Sequence, residues 1–300
     1  MDYNGAMKQY SIKELELKAN DIRQDLLKAL AKAKSGHSGG PLGMADVFTA
    51  LYFHIIKHDP KKPDWEERDR IILSNGHICP VRYAAMAHAG YFPLAELDTL
   101  RKFGTRLQGH PERMRLPGVE TTSGPLGSGL SQASGMAYVG KHIDKKKWRV
   151  YCLTSDGEHD EGNTWEAVMF AAKYRLDNLT QIIDRNNIQI DGNTEDIMPL
   201  NPLKEKYEAF NWNVIEIDGH NIEQIIDACA QAQATRNKPT LIVANTIPGK
   251  GVSFMENRYE WHGVPPGKGP EDTVPKEKQL EVALQELQAW REEIEARPET

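Results

Sequence analysis

The chain has 300 residues, 39% of them hydrophobic, which is enough for a sizeable core in one large domain or two modest ones. A formal net charge of −6, with no basic stripe, excludes the usual footprint of a nucleic-acid binder, and no apolar run is long enough to span a membrane. Cys79, Cys152 and Cys229 are odd in number and far apart, so they imply packing in a reducing cytoplasm and not a disulfide framework.

Met1 to Tyr10 is polar and lacks the apolar core of a signal peptide. Ser11-Ile-Lys-Glu14 is a capping box and predicts a helix to about Lys34, with Leu15, Ala19, Ile22, Leu26, Leu30 and Ala33 as its apolar stripe. Residues 35–43 carry four glycines around His37. The expectation is a loop whose bare backbone presses against a ligand. Met44 to Ile56 predicts a strongly apolar helix. Arg70 to Ser74 predicts a strand ending at Asn75-Gly76-His77, and Pro80 to Gly90 the following helix. A shorter helix falls within Tyr91 to Phe103, and a third glycine-flanked histidine, His110, follows.

Residues 121–135 form a second glycine-rich segment, running into a helix to about His142. A dinucleotide fingerprint would need GxGxxG directly after a strand; the spacing here fails and no strand precedes it. Trp148 to Thr154 predicts a buried strand, and Glu166 to Tyr174 a helix with Ala167, Phe170, Ala171 and Tyr174 on one face. Leu179 to Asp184 predicts the next strand. Trp212 to Asp218 and Pro239 to Thr246 predict two more, with a helix over Ile222 to Ala234 between them. This alternation implies an α/β fold with a doubly wound, mostly parallel sheet. Glu260 to Pro265, with His262, is a loop. From Val274 the chain turns charged and helical, with Leu280, Ala283, Leu284, Leu287 and Trp290 at the spacing of a face that docks on the body or on a partner, and its last residues are expected to fray.

The informative unit is Ser155 to Gly192. Asp156 and Asn186 lie thirty positions apart, each just past a predicted strand, about the length of one βαβ unit. A right-handed crossover makes those strands parallel and adjacent and puts both residues at the carboxyl edge, where open α/β sheets bind ligands. One carboxylate and one amide oxygen suit a hard cation such as Mg²⁺ or Ca²⁺, whose shell is completed by ligand phosphates and water. The plain alternative is a pair of ordinary Asx turns.

Taken together, Asp156-Gly157 to Asn186, Ser35-Gly-His37 through Ala45, Leu73-Ser-Asn-Gly-His77, Gly109-His-Pro-Glu112, Gly124-Pro-Leu-Gly127, Leu176 to Leu179 and Gln189-Ile-Asp-Gly192 resemble the amino-terminal half of transketolases, in the right order, from about Leu15 to Pro266. The resemblance implies a thiamine diphosphate-binding fold over residues 1–266, followed by a loop and helical tail over 267–300 that would be the remnant of an interdomain connection. It implies thiamine diphosphate as cofactor and Mg²⁺ (or Ca²⁺ or Mn²⁺) held by the side chains of Asp156 and Asn186 and the carbonyl of Ile188. His37, His77, His110 and His262 would be catalytic. His77 and His262 would lie near the diphosphate or the reacting carbon, and His37 and His110 against sugar hydroxyls. Gly124 and Leu126 would line the aminopyrimidine, Gly157 would approach the diphosphate through its amide, and Ile190 would pack on the thiazolium. Glu158 and Glu161 complete the cofactor-binding set. Glu161 and Glu166 resemble acidic residues that link paired active sites.

The implied activity is transfer of a two-carbon ketol unit from a ketose to an aldose, in carbohydrate metabolism of the pentose phosphate kind. The chain ends before the pyrimidine-binding and C-terminal domains of single-chain transketolases, and the glutamate that activates the aminopyrimidine would belong to them. The expectation is therefore a split enzyme, a heterotetramer of two chains of each kind, whose second polypeptide reads most of the sugar's phosphate as well. Alternatives are another split thiamine-diphosphate enzyme (including a transketolase specialised for a sulfonated or branched sugar) and a non-catalytic scaffold subunit. Two positions depart from the family's pattern: Ser155 replaces a glycine that a positive φ would require, and Ser38 replaces a proline.

Overall fold

The computed structural model describes residues 10–298. The polar stretch before Tyr10 and the terminal residues 299–300, expected to fray, lie outside the described residues. In chain order the main elements are α1 (Ile12–Ala33), α2 (Gly39–Gly43), α3 (Ala45–Ala50), β1 (Arg70–Leu73), α4 (Cys79–Ala89), α5 (Ser128–Tyr138), β2 (Val150–Ser155), α6 (Gly162–Lys173) and β3 (Leu179–Arg185). There follow β4 (Ile188–Gln189), β5 (Gly192–Asn193), α7 (Thr194–Ile197), α8 (Leu203–Ala209), β6 (Asn213–Asp218), α9 (Ile222–Ala234), β7 (Thr240–Asn245) and α10 (Gln279–Ala296).

The five long strands are those expected from the apolar runs, and all pair in parallel in the order β1-β2-β3-β7-β6. Strands β2 and β3 are neighbours, with Ser155 opposite Asp184. Because every strand points the same way, the segments after β1, β2, β3 and β7 emerge at one edge.

Both faces of the sheet are covered, and alternation along each strand sends its side chains into two separate cores. Ile71, Leu73, Tyr151, Leu153, Ile182, Ile242 and Ala244 pack toward α1, α3, α4 and α9. Ile72, Val150, Cys152, Leu179, Ile183, Leu241 and Val243 pack toward α5, α6 and α8. Each such aliphatic side chain, wholly removed from water, contributes roughly 1.5–3 kcal/mol before chain entropy is counted. The three cysteines are free and buried.

Helix α1 starts at its capping box, with the Glu14 amide donating to Ser11 Oγ at 3.1 Å and the Ser11 amide donating to Glu14 Oε2 at 2.8 Å. The helix expected over Met44 to Ile56 is α-helical only to Ala50 and continues as a π-helical turn over Leu51–Ile55. Helix α6 begins four residues before the expected Glu166, and its buried face is Thr164, Ala167, Val168 and Ala171. Phe170 faces out and joins Tyr174 and Tyr138 in an aromatic cluster, with ring centroids 4.7 and 5.9 Å from Phe170.

The tail helix docks on the body: Ala283 and Leu287 are buried, and Asn20 of α1 donates to the Leu287 carbonyl at 3.0 Å. No helix of the described residues is long and apolar enough to cross a membrane.

The glycine-rich run after α1 differs from the expected ligand loop. Gly39–Gly43 is a buried helical turn, and its glycines are close to protein. A Cβ at Gly40 would stand 2.7 Å from Ile78 Cγ2, and one at Gly43 would stand 3.0 Å from the Ile247 carbonyl oxygen. In the second run, Gly129 allows the close backbone and helix contact that its glycines suggest, since a Cβ there would overlap Ser74 at 2.3 Å. Ser155, by contrast, needs no glycine. It is the last residue of β2 and is absent from the residues with positive φ.

Candidate active site

At the carboxyl edge of the sheet the loops enclose a cavity of about 360 Å³. Its walls include His37, His77, His110, His262, Gly124, Leu126, Gly157, Asn186, Ile188 and Ile190, all expected from sequence. Ser155, Gln189 and Asp191 line it as well. Gln189 and Asp191 belong to one of the sequence motifs, which gives them no role of their own.

Asp156 lies just beneath, almost wholly buried. Its Oδ2 accepts from the Asn187 amide at 2.7 Å and Thr194 Oγ1 at 3.2 Å, and it lies 3.1 Å from an Arg185 guanidinium nitrogen. Its Oδ1 is buried and has no hydrogen-bond partner among the described residues. Burial pushes the Asp156 carboxyl up to about 6, against the lowering influence of Arg185 and of the two donors. Asn186 is also buried. Its Nδ2 donates to Asp184 Oδ2 at 2.9 Å, and its Oδ1 accepts from the Ile188 amide at 3.1 Å. These bonds fix which end of the amide is oxygen and turn the Ile188 peptide. Asp184 is itself raised to about 7 by burial.

An orphaned carboxylate oxygen beside an amide oxygen and a turned peptide suits a hard cation, so the residues present fit the expected metal. Among the described residues no cluster of three His, Cys, Asp or Glu suggests a metal site of another kind.

Opposite the clamp stand three imidazoles in mutual contact. Ring centroids are 4.9 Å apart for His37 and His77, 5.5 Å for His37 and His262, and 5.3 Å for His77 and His262. His37 and His262 each keep a buried Nδ1 with no hydrogen-bond partner among the described residues. Burial, then the charges of His262, Arg101 and His110, lower His37 to about 4. Burial and its histidine neighbours hold His77 well below the usual imidazole range, and burial lowers His262. His110, at the exposed rim, is lowered by burial and by Arg101. The wall is thus neutral at pH 7, able to accept or relay protons.

His37 is placed by its flanks. Ser38 Oγ donates to the Val264 carbonyl at 2.8 Å, so the serine at the departing position ties the histidine's loop to the one carrying His262. Gly249 donates to the Gly39 carbonyl at 2.9 Å.

Three acidic residues of the expected set are elsewhere. Glu158 is fully buried and turned from the cavity. Its carboxylate accepts from Ser155 N at 2.8 Å, from Gly127 N at 3.1 Å and from Ser74 Oγ, and burial raises it to about 7. It ties together the ends of β1 and β2 and the second glycine segment, and it does not line the cavity. Glu161 is exposed and does not line the cavity, and Glu166, expected with Glu161 to link paired active sites and not to hold cofactor, is exposed as well. Sequence reasoning missed Arg185 and Thr194, which hold Asp156, and the short β4–β5 hairpin that carries Ile190 at its tip.

The family model for the transketolase thiamine diphosphate-binding domain matches residues 15–288. The chain belongs to this family. The transketolase chain is 46% identical over 251 residues to the 6-deoxy-6-sulfo-D-fructose transketolase subunit SqwG of Clostridium sp. (strain MSTE9), covering 84% of this chain and 91% of that one. It is 42% identical to an apulose-4-phosphate transketolase subunit of Phocaeicola vulgatus, covering 88% and 93%. Against human transketolase it is 38% identical over 90% of its own length but only 42% of the other's. The solved transketolase of Leishmania mexicana superposes with a TM-score of 0.81 at 32% identity, over 96% of this chain and 46% of that one. The chain is thus a transketolase N-terminal domain of the length of the separate subunits, it binds thiamine diphosphate, and the chemistry it serves is transketolase-type ketol transfer.

Proposed function

We propose that this chain is the diphosphate-binding subunit of a two-chain transketolase, active with a partner that carries the pyrimidine-binding and C-terminal domains. The observation that carries the reading is the buried, unpartnered Oδ1 of Asp156 beside Asn186 and Ile188, under a cavity walled by neutral histidines. Asp156, Asn186 and the Ile188 carbonyl hold Mg²⁺ against the diphosphate. Gly157 lets its amide approach the diphosphate, and Gly124, Leu126 and Ile190 bed the rings. When bound, thiamine diphosphate supplies the nucleophilic carbon and the electron sink for breaking and making the carbon–carbon bond. His77 and His262 face the reacting end. His37 and His110 bind sugar hydroxyls and carry protons to and from them, which neutral imidazoles can do at pH 7.

Two relatives named for 6-deoxy-6-sulfo-D-fructose and apulose-4-phosphate support a ketose bearing an anionic group as the donor class. A partner is supported by the coverage of subunit-sized relatives and by apolar side chains left in water on neighbouring helices. Ile143 is 62%, Met169 50% and Phe170 38% exposed. A heterotetramer with two such chains, in the cytoplasm, completes the reading.

Purified chain alone and chain with its co-expressed partner are to be assayed for ketol transfer dependent on thiamine diphosphate and Mg²⁺. Activity is expected only from the pair; full activity from this chain alone would sink the two-chain reading.

A further inference from the structure

Arg101 has a backbone conformation that side-chain-bearing residues rarely take, φ +59°, in a turn closed by its amide donating to the Leu107 carbonyl at 2.9 Å. Its guanidinium lies where Gly109 lacks a side chain. A Cβ there would stand 2.8 Å from Arg101 Cζ and from one terminal nitrogen. The same nitrogen is 4.0 Å from the position of a Cβ at Gly36. Gly36 precedes His37 and Gly109 precedes His110, so the solvent-exposed Arg101 side chain sets its guanidinium in the space that Gly109 leaves open and alongside Gly36, whose own missing side chain makes room for Leu30.

No carboxylate answers its charge. Among the described residues its side chain makes no hydrogen bond or ion pair, whereas neighbouring Arg106 is paired with Glu96 at 2.6 Å and Lys32 with Asp98 at 2.6 Å. Of the described lysines and arginines, Arg101 is the one whose charge bears on both His37 and His110. Among the described residues, those that line the cavity include no Lys or Arg. Asn186 and Ile188 are buried and His110 is exposed, with Arg101 beside the loop that carries it, so on the ketol-transfer reading a sugar whose hydroxyls face His37 and His110 would bring its far end toward Arg101.

We propose that Arg101 is a specificity-determining residue that receives the anionic group, phosphate or sulfonate, at the far end of the sugar. This rests on the ketol-transfer reading above. A planar guanidinium offers two parallel N–H donors to two oxygens of a tetrahedral anion, and an arginine with no carboxylate to release is prepared for that role. It also places part of the anion's recognition on this chain, where the family resemblance alone assigns it to the partner.

The test compares wild type, R101Q and R101K, each assembled with the partner, on three acceptors: glyceraldehyde 3-phosphate, the corresponding three-carbon aldehyde with a sulfonate, and uncharged glyceraldehyde. R101Q is expected to lower kcat/KM for the anionic aldehydes about ten-fold or more relative to glyceraldehyde, through KM, with partial recovery in R101K. The phosphate and sulfonate arms tell which anion the site prefers. An equal fall on all three acceptors, or a ratio that stays within about two-fold, overturns the proposal.

In parallel, inorganic phosphate is titrated into the chain loaded with thiamine diphosphate and Mg²⁺, following the His110 imidazole by NMR. Saturable shifts in wild type, weakened about ten-fold in R101Q, support Arg101, and unsaturable or equal shifts refute it. If the assembled enzyme transfers no ketol unit from any substrate, the ketol-transfer reading falls while the titration still judges Arg101.

Discussion

His37 lines the cavity and Asp156 lies buried between two of its lining residues, Ser155 and Gly157, and their surroundings differ in kind. Asp156 has one oxygen held by an amide, a hydroxyl and a guanidinium, and the other left bare. Around it Asn186 donates to Asp184 and accepts from the Ile188 amide, Asp184 accepts from Thr246 just past β7, and Glu158 accepts from Ser155 and Ser74 at the ends of β2 and β1. His37 touches two other imidazoles, and its buried Nδ1 has no partner. The clamp is preorganised for a charge; the histidine wall is kept uncharged and unbonded. On the proposed reading, the difference separates a group that stands in one place from groups that change partners as a substrate reacts.

The sharpest way to break the comparison is at the clamp. D156A removes the bare oxygen and leaves Arg185 with only Glu195 as an ion-pair partner among the described residues. Thiamine diphosphate affinity in the presence of Mg²⁺ should fall about 100-fold or more, on the order of 3 kcal/mol, by calorimetric titration. The difference between titrations with and without Mg²⁺ should vanish, and a variant that still gains affinity from the metal would remove Asp156 from the clamp. Next is E158Q. An amide has one oxygen where the carboxylate uses both to accept from Ser155, Gly127 and Ser74. One buried N–H must then face an NH₂ group, and unfolding in denaturant should show a loss of about 2 kcal/mol. An unchanged midpoint would mean that the strand ends are held some other way.

The two halves of this contrast are unequally legible in the sequence. All five long strands can be read because a parallel sheet covered on both faces writes each strand as a continuous apolar run, as in Trp148 to Thr154. Asp156 and Asn186 can be placed together because one βαβ unit joins them. The strand order is beyond reach, since β7 slipping between β3 and β6 depends on contacts far apart in sequence. The Arg185 support of Asp156 is hidden for the same reason. The glycines mislead for a physical reason. Room for a ligand and room for a neighbouring element leave the same residue behind, and in the first glycine-rich run Gly40 makes room for Ile78. Glu158 misleads likewise, because adjacency to Gly157 in sequence says nothing of which way the side chain turns.

The wall can be tested through pH. The His37 proton is released near pH 4 in the folded chain and near 6.5 in an ordinary imidazole. Above pH 6.5 neither folded nor unfolded chain carries it, and the neutral form's advantage is complete. As pH falls from 6.5 toward 4, the unfolded chain takes up a proton that the folded chain refuses, and stability is lost. His37 is half-buried, so the loss between pH 7 and pH 5 should be on the order of 1 kcal/mol. H37Q should flatten the pH dependence of unfolding over that interval. An NMR titration of His37 with a midpoint in the ordinary range would erase the contrast with the clamp.

The smallest effect is the most discriminating. Ile190 is 67% exposed at the tip of the β4–β5 hairpin, on the cavity wall. An aliphatic side chain so placed adds little to the core, so I190A should change the stability of the chain without cofactor by less than about 0.5 kcal/mol. If thiamine diphosphate packs on Ile190, those carbons leave water when it binds. Losing them should weaken binding about five- to thirty-fold, at roughly 0.8 kcal/mol for each buried methylene equivalent. The signature is the split itself, with affinity falling while the unfolding midpoint stays. A matching loss of stability would make Ile190 a structural residue, and unchanged affinity would leave the cavity without its apolar bed on that side.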